Sequence, residues 1–89
     1  MSMPLFYFHV CNGNGFTEDE AGKVLPDLPA ARQEAITSLR SILAADMNMG
    51  HVNMSSFVEI EDDERRLMMT IQFMDAIEIS TERCSRVRA

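Results

Sequence analysis

The chain has 89 residues, of which 46% are hydrophobic and 25% charged, and its formal net charge at pH 7 is −6. This length fits one small domain, and the composition is too apolar for a chain that stays disordered alone. The negative charge argues against binding to nucleic acid or to an anionic membrane, and it favours a basic partner. No signal peptide opens the chain, and no apolar run approaches the roughly 20 residues of a membrane span. We therefore expect a soluble, cytoplasmic protein in which Cys11 and Cys84 are free thiols.

An alternating aromatic segment, residues 6–10, predicts a strand with one apolar face and one mixed face. In the turn that follows, Gly13 and Gly15 allow the positive φ angles of a tight reversal. Phe16-Thr17 and residues 23–25 then predict two short extended segments. Strand alternation assigns Phe6, Phe8 and Val10 to the core face and Leu5, Tyr7 and His9 to the opposite face.

One long helix is predicted from Leu28 to Met47. Asp27 is placed to accept hydrogen bonds from the free amides of the first turn, where Pro29 is tolerated. Gly50 is a plausible left-handed stop beyond the last turn. Apolar residues recur at spacings of three and four, which predicts one buried stripe formed by Leu28, Ala31, Ala35, Leu39, Ile42 and Leu43.

A second hairpin is predicted from residues 56–61 and 67–73, separated by the polar turn 62–65. The apolar pattern fades from Ser80 onward, so we predict a single domain over residues 1–79 and a mobile, partly basic tail over residues 80–89. Alternation assigns Val58, Ile60, Leu67, Met69, Ile71 and Phe73 to the core face and Phe57, Glu59, Met68, Thr70 and Gln72 to the opposite face.

The sequence contains three weak indications of a chemical site. His9, Cys11 and His51 could join as metal ligands, but a structural zinc site usually needs four ligands at defined spacing. The glycine-rich turn resembles part of a phosphate loop, yet no helix and no Lys-Ser or Lys-Thr follows it. The acidic cluster fits a solvated turn better than a calcium loop or an acid–base pair. We predict no catalytic residue, no metal and no cofactor; the cluster comprises Glu59, Glu61, Asp62, Asp63 and Glu64.

A series of motifs follows in order along the chain: Phe6-Tyr7-Phe8-His9-Val10, the Asn/Gly turn, Glu20-Ala21-Gly22, Leu25-Pro26-Asp27, Ala30-Ala31-Arg32-Gln33-Glu34-Ala35, Val58-Glu59-Ile60, and residues 67–79 with Phe73, Asp75 and Ala76. Together these motifs resemble a family of short bacterial proteins classed as a domain of unknown function. The resemblance covers roughly residues 4–79, and it implies a fold without an established activity. Family members usually carry an acidic residue in the first turn, where this chain has Asn12 or Asn14, which weakens any idea of a charged site there.

These observations predict an α+β fold, an antiparallel sheet of three or four strands with one long helix packed on one face. The leading hypothesis is a non-enzymatic interaction module that forms a homodimer or binds a small protein through the open sheet face. One alternative is an antitoxin-like regulatory protein that neutralises a basic partner. The other is a small metal-binding protein or enzyme that uses His9, Cys11 and the acidic turn. The residues predicted for the partner or dimer face are Tyr7, His9, Phe57 and Met68.

Overall fold

The structure is a computed structural model that describes residues 3–85. It contains a five-stranded antiparallel sheet in the order β2-β1-β4-β5, in which β3 also pairs with β1. One long helix packs on this sheet, so the α+β prediction is confirmed. The elements in chain order are β1 (Leu5–Asn12), β2 (Gly15–Thr17), β3 (Lys23–Val24), α1 (Leu28–Asn48), β4 (Phe57–Glu61), β5 (Leu67–Gln72) and α2 (Phe73–Ala76).

Helix α1 begins where the sequence places it. The Asp27 carboxylate accepts a hydrogen bond from the Ala30 amide at 2.9 Å, and Asp27 itself has the extended backbone of an N-cap residue. The helix ends at Asn48, one residue beyond the predicted end, and Gly50 follows with a φ of 90°. A cap and a glycine of this kind satisfy the unpaired groups at the two ends of a helix.

The core lies between α1 and one face of the sheet. Leu39 from the helix and Val58 and Ile60 from β4 have no exposed surface. Phe8, Val10 and Met69 are partly buried against this cluster, so the predicted inward residues of β1 lie on the core side. The buried members of the cluster are Phe6, Ala31, Ala35, Ile36, Leu39, Leu43, Val58, Ile60, Ile71, Phe73 and Ala76.

The start of β5 differs from the predicted alternation. Ile60 pairs with Met69 but Glu61 pairs with Leu67, so a bulge places an extra residue, Met68, in β5. A bulge reverses the faces of the residues on one side of it. The prediction that Leu67 points into the core is therefore wrong: it lies on the same face as Glu61 and is 57% exposed.

The end of β5 also differs, because Phe73 opens the short helix α2 instead of closing the strand. The Asp75 carboxylate accepts a hydrogen bond from the Gln72 amide at 2.8 Å, which favours a helical turn at this point. Phe73 is nevertheless buried, as predicted.

The fifth strand comes from Lys23–Val24, which pairs with Phe6 and Leu5 of β1. Beyond α2, residues 77–85 contain neither helix nor strand, and residues 86–89 of the predicted tail lie outside the described part. Within residues 3–85, no helix combines the length and the apolar character needed to cross a membrane.

Candidate functional site

The sheet face opposite α1, here called the outer face, carries Tyr7, His9 and Phe57, three of the four side chains predicted for a partner surface. The fourth, Met68, is the extra residue of the bulge in β5 and is 46% exposed. Helix α1 does not pack on the outer face, because the core cluster lies on the other side of the sheet. The strand register places on it Leu5, Tyr7, His9 and Cys11 from β1, Phe16 from β2, Phe57, Glu59 and Glu61 from β4, and Leu67, Thr70 and Gln72 from β5.

Loop 18–22 lies at the border of the outer face, where β1 has no strand partner between β2 and β3. One carboxylate oxygen of Asp19 accepts a hydrogen bond from the Phe8 amide at 3.0 Å. The other accepts from the amides of Ala21 and Gly22, both at 3.1 Å. The Asp19 carboxylate thus accepts the hydrogen bond that a neighbouring strand would accept from the Phe8 amide. It also holds loop 18–22 closed.

The environment of Asp19 favours its ionised form. Partial burial alone would raise its pKa. Hydrogen bonds from the amides of Phe8, Gly22 and Ala21, together with the electrostatic effect of the nearby His9, lower the pKa by more than burial raises it. The pKa of Asp19 is therefore lower than that of an ordinary aspartate. A carboxylate that accepts several amide hydrogen bonds loses them when it is protonated, which is the cause of this shift.

His9 lies on the outer face, as alternation predicts, but only 3% of it is exposed. Its Nδ1 accepts a hydrogen bond from the Asp19 amide at 2.9 Å, so the proton of the neutral ring is on Nε2. Nε2 lies 2.8 Å from Oε1 of Glu61 and donates to it. The Phe16 ring packs nearby, with its centroid 5.9 Å from that of His9. Both ring nitrogens are occupied, so His9 joins three elements and does not present a polar group to solvent.

Arg65, in the turn before β5, also contacts this group of side chains. Its guanidinium lies 3.6 Å from the centroid of the Tyr7 ring, and its Nη1 donates to the carbonyl oxygen of Asp19 at 3.3 Å. The same nitrogen is 3.9 Å from Glu61. Arg65 has a positive φ of 64°, the only non-glycine residue in the described chain with one. The turn thereby directs this side chain back over the sheet, and we call the group Tyr7, His9, Asp19, Glu61 and Arg65 the polar cluster.

A groove of about 460 Å³ opens on the outer face beside the polar cluster. Phe57 and Glu59 from β4, Thr70 from β5 and two methionines are among the residues that line it. The lining therefore mixes apolar side chains with polar ones, among them one carboxylate. The full set of lining residues is Met54, Ser55, Ser56, Phe57, Glu59, Thr70, Gln72, Phe73 and Met74.

The remaining candidate residues do not converge. His51 lies against the first turn, where a Cβ on Gly13 would come within 3.3 Å of its ring. Cys11 is partly buried on the outer face and Cys84 is exposed, and both are free thiols. Among residues 3–85 there is no group of three His, Cys, Asp or Glu side chains that could hold a metal ion.

The acidic turn that includes Asp62, Asp63 and Glu64 is held by its own hydrogen bonds. Asp62 accepts hydrogen bonds from the amides of Glu64 and Arg66 and from the Arg66 guanidinium. The Arg66 amide has the largest effect and lowers the pKa of Asp62; desolvation opposes it, and the Glu64 amide and the Arg66 side chain each lower the pKa by less. Asp63 and Glu64 remain exposed.

The polar cluster itself was missed by the sequence reasoning, which placed Tyr7 and His9 on one face but found no partner for them. His9 is 52 residues from Glu61, and Arg65 is 46 residues from Asp19. The one local signal is the pair Asp19 and Gly22, an acidic residue followed by a glycine that allows a closed turn.

The chain is a small α+β domain in which α1 covers one face of the sheet, while the other face is open and partly acidic. The family named Domain of unknown function (DUF6894) matches residues 5–74, and the chain belongs to it. No curated protein and no solved structure matches the chain significantly. The family membership confirms the predicted resemblance and assigns no activity.

Proposed function

We propose that this chain is a non-enzymatic interaction module that binds a protein partner through its outer face. The observation that supports this proposal is the groove on that face, which α1 leaves uncovered and which Phe73 and Met74 of α2 line in part. Phe57 at its floor is only partly buried, and Phe16 and Leu67 on the same face are 54% and 57% exposed. Apolar side chains grouped on an uncovered face are typical of binding surfaces.

The polar cluster supports the same proposal, because it fixes the shape of the surface before a partner arrives. His9 and Asp19 have every strong hydrogen-bonding group engaged, and Arg65 is held over Tyr7. Side chains that are already ordered lose less conformational entropy on binding. The outer face is therefore already ordered before a partner binds.

The charge of the face indicates the chemistry of the partner. Glu59 lines the groove and Glu61 lies next to it, while the nearby turn exposes Asp63 and Glu64. A lysine or arginine of the partner can pack its aliphatic stem on Phe57 and place its charged group near Glu59. We therefore propose a partner that presents basic and apolar side chains together.

The test is affinity capture with four forms of the full chain. The wild type should retain specific proteins, and the Phe57→Ser and Glu59→Lys variants should lose them, because each removes one property of the groove. Met47→Ser is the matched control, since Met47 is 68% exposed on α1, on the other side of the molecule. Circular dichroism should be the same for all four proteins.

The proposal is wrong if the proteins captured by the wild type bind equally to both groove variants, or if Met47→Ser loses them as well. A basic, toxin-like protein among the specific partners would favour the antitoxin-like role for the same surface. Enzyme activity that survives in the Phe57→Ser variant would favour a different use of the domain.

A further inference from the structure

The second edge of the sheet is built for strand pairing. β5 pairs with β4 on one side, and within residues 3–85 no strand pairs with it on the other. Its sequence, Leu67–Gln72, contains no charged residue and no proline. Native proteins usually protect an edge strand with lysine, proline, a bulge or a covering segment, because its unpaired amides and carbonyls attract another strand. In β5 the bulge at Met68 interrupts only the start of the strand, so residues 69–72 keep a regular open edge.

The chain also contains a segment with the properties of an unpaired strand. Ile77 has extended backbone angles, φ −131° and ψ 134°. Residues 78–85 are exposed, and they form no backbone-to-backbone hydrogen bond with any other described residue. From Ile77 to Glu82 the sequence alternates between β-branched and polar residues, which is typical of a strand with one buried face.

We propose that residues 77–83 of one copy of this chain pair with the β5 edge of a second copy, and that the exchange is reciprocal. Each copy then supplies one open β5 edge and one unpaired strand. In the dimer, the open edge of each copy pairs with the unpaired strand of the other. This interface is separate from the outer face, which stays available to a partner.

Charge determines the direction of the pairing. The turn before β5 carries four acidic residues and two arginines in residues 61–66. Arg83 follows the alternating segment, and Arg86 and Arg88 come after it in the sequence. An antiparallel arrangement places Arg83 next to the start of β5 and its acidic turn, whereas a parallel one places it near Gln72 and Asp75. The antiparallel arrangement also brings the basic end of one copy to the acidic turn of the other, in a chain whose net charge would otherwise oppose self-association.

The test measures self-association of the full chain by sedimentation equilibrium from roughly 10 µM to 1 mM. The wild type should form a dimer. Ile79→Pro should weaken the dimer by about tenfold or more, because proline removes an amide that a strand ladder uses. Ile79→Val is the matched control and should dimerise like the wild type, since valine keeps a β-branched apolar side chain at that position.

A charge exchange tests the direction. Arg83→Glu should weaken the dimer, and adding Asp63→Lys to that variant should restore it at low salt. In the dimer, the amides of β5 should exchange with deuterium more slowly than in Ile79→Pro.

Three outcomes would overturn the inference. The first is a wild type that remains a monomer throughout the concentration range. The second is protection of β5 that does not depend on concentration, which would mean that the segment pairs with its own edge. The third is a dimer that Ile79→Pro leaves intact but Phe57→Ser abolishes; this would assign self-association to the outer face and leave the proposed binding role of that face standing.

Discussion

At the scale of single residues, Asp19 has more structural partners than any other residue of the outer face. Its carboxylate accepts three amide hydrogen bonds, its own amide donates to His9, and its carbonyl accepts from Arg65. These bonds connect loop 18–22 to β1 and to the turn before β5. His9→Ala would remove one connection from a buried position, so we expect it to destabilise the fold.

We expect Asp19→Asn to lower the stability of the protein at neutral pH, because the Asn amide group would face backbone amides that need an acceptor. The sign of the pH dependence follows from the lowered pKa of Asp19. Its contribution is complete above the unfolded value of about 3.9 and is lost as the pH falls through the lower folded value.

Urea denaturation between pH 7 and pH 2 checks this expectation. The stability difference between wild type and Asp19→Asn should be constant above about pH 5 and should shrink below pH 4. Asp62 titrates in the same range in both proteins, so its effect cancels in the difference. A difference that grows on acidification would contradict the lowered pKa.

Gly22 is a second residue on which loop 18–22 depends. It has a φ of 73°, and a Cβ at this position would lie 2.9 Å from the carbonyl oxygen of Phe6 and 3.0 Å from the Leu5 side chain. Gly50 has a φ of 90° but no atom within 4 Å of a Cβ. We expect Gly50→Ala to cost about 1 kcal/mol from backbone strain alone and Gly22→Ala to cost clearly more. Thermal or urea unfolding of the two variants decides this, and equal costs would mean that loop 18–22 moves away without penalty.

At the scale of elements, α1 stabilises the whole domain, because it contacts both the sheet and the short helix α2. It packs against β1, β4 and β5 through its buried stripe. It also fixes α2, because Nε of Arg40 donates to the carbonyl oxygen of Ala76 at 2.7 Å. This bond joins α1 to the last residue of α2, directly before residues 77–85.

We expect the buried stripe of α1 to matter more for stability than its cap. Leu39→Ala should cost roughly 2 to 5 kcal/mol through the cavity it leaves, whereas Asp27→Ala should cost about 1 kcal/mol through the loss of one capping bond. Denaturation midpoints measure both. A Leu39→Ala variant with the midpoint of the wild type would show that the stripe does not form the core.

The long elements could be predicted from the sequence because their signals are local. Asp27 and the three-four spacing define α1, and alternation with polar turns defines β1, β4 and β5. The sequence indicated that residues 23–25 are extended, but the pairing of β3 with β1 and the bulge at Met68 have no such signal, since both depend on the register between strands. The burial of His9 depends on contacts with Asp19 and Glu61, which only the fold brings together. For the same reason, the sequence identified the outer face but not the polar cluster on it.

At the scale of the whole molecule, the core covers one face of the sheet, and we propose that the other face binds a partner. The double variant Tyr7→Ser, Phe57→Ser changes only the outer face, so it should unfold cooperatively and lose about 1 to 2 kcal/mol, from the Tyr7–Arg65 contact and cross-strand packing. It should also lose the partner proteins described above while keeping the dimer formed through β5. Calorimetry and sedimentation of the same sample measure both properties. A loss of stability equal to that of Leu39→Ala would place these rings in the core.

The two edges of the sheet are unequal, and this limits how far the protein can polymerise. Strands β2 and β3 and the Asp19 carboxylate occupy the outward amides of β1 in turn, so this edge of the sheet consists of two short strands of three and two residues and offers a further chain no continuous row of donors. A sheet that can extend in one direction only forms a closed pair, whereas a sheet with two open edges can grow into a filament. If two copies pair through β5 as we propose, loop 18–22 keeps the assembly finite, and we expect its removal to permit growth at this edge as well.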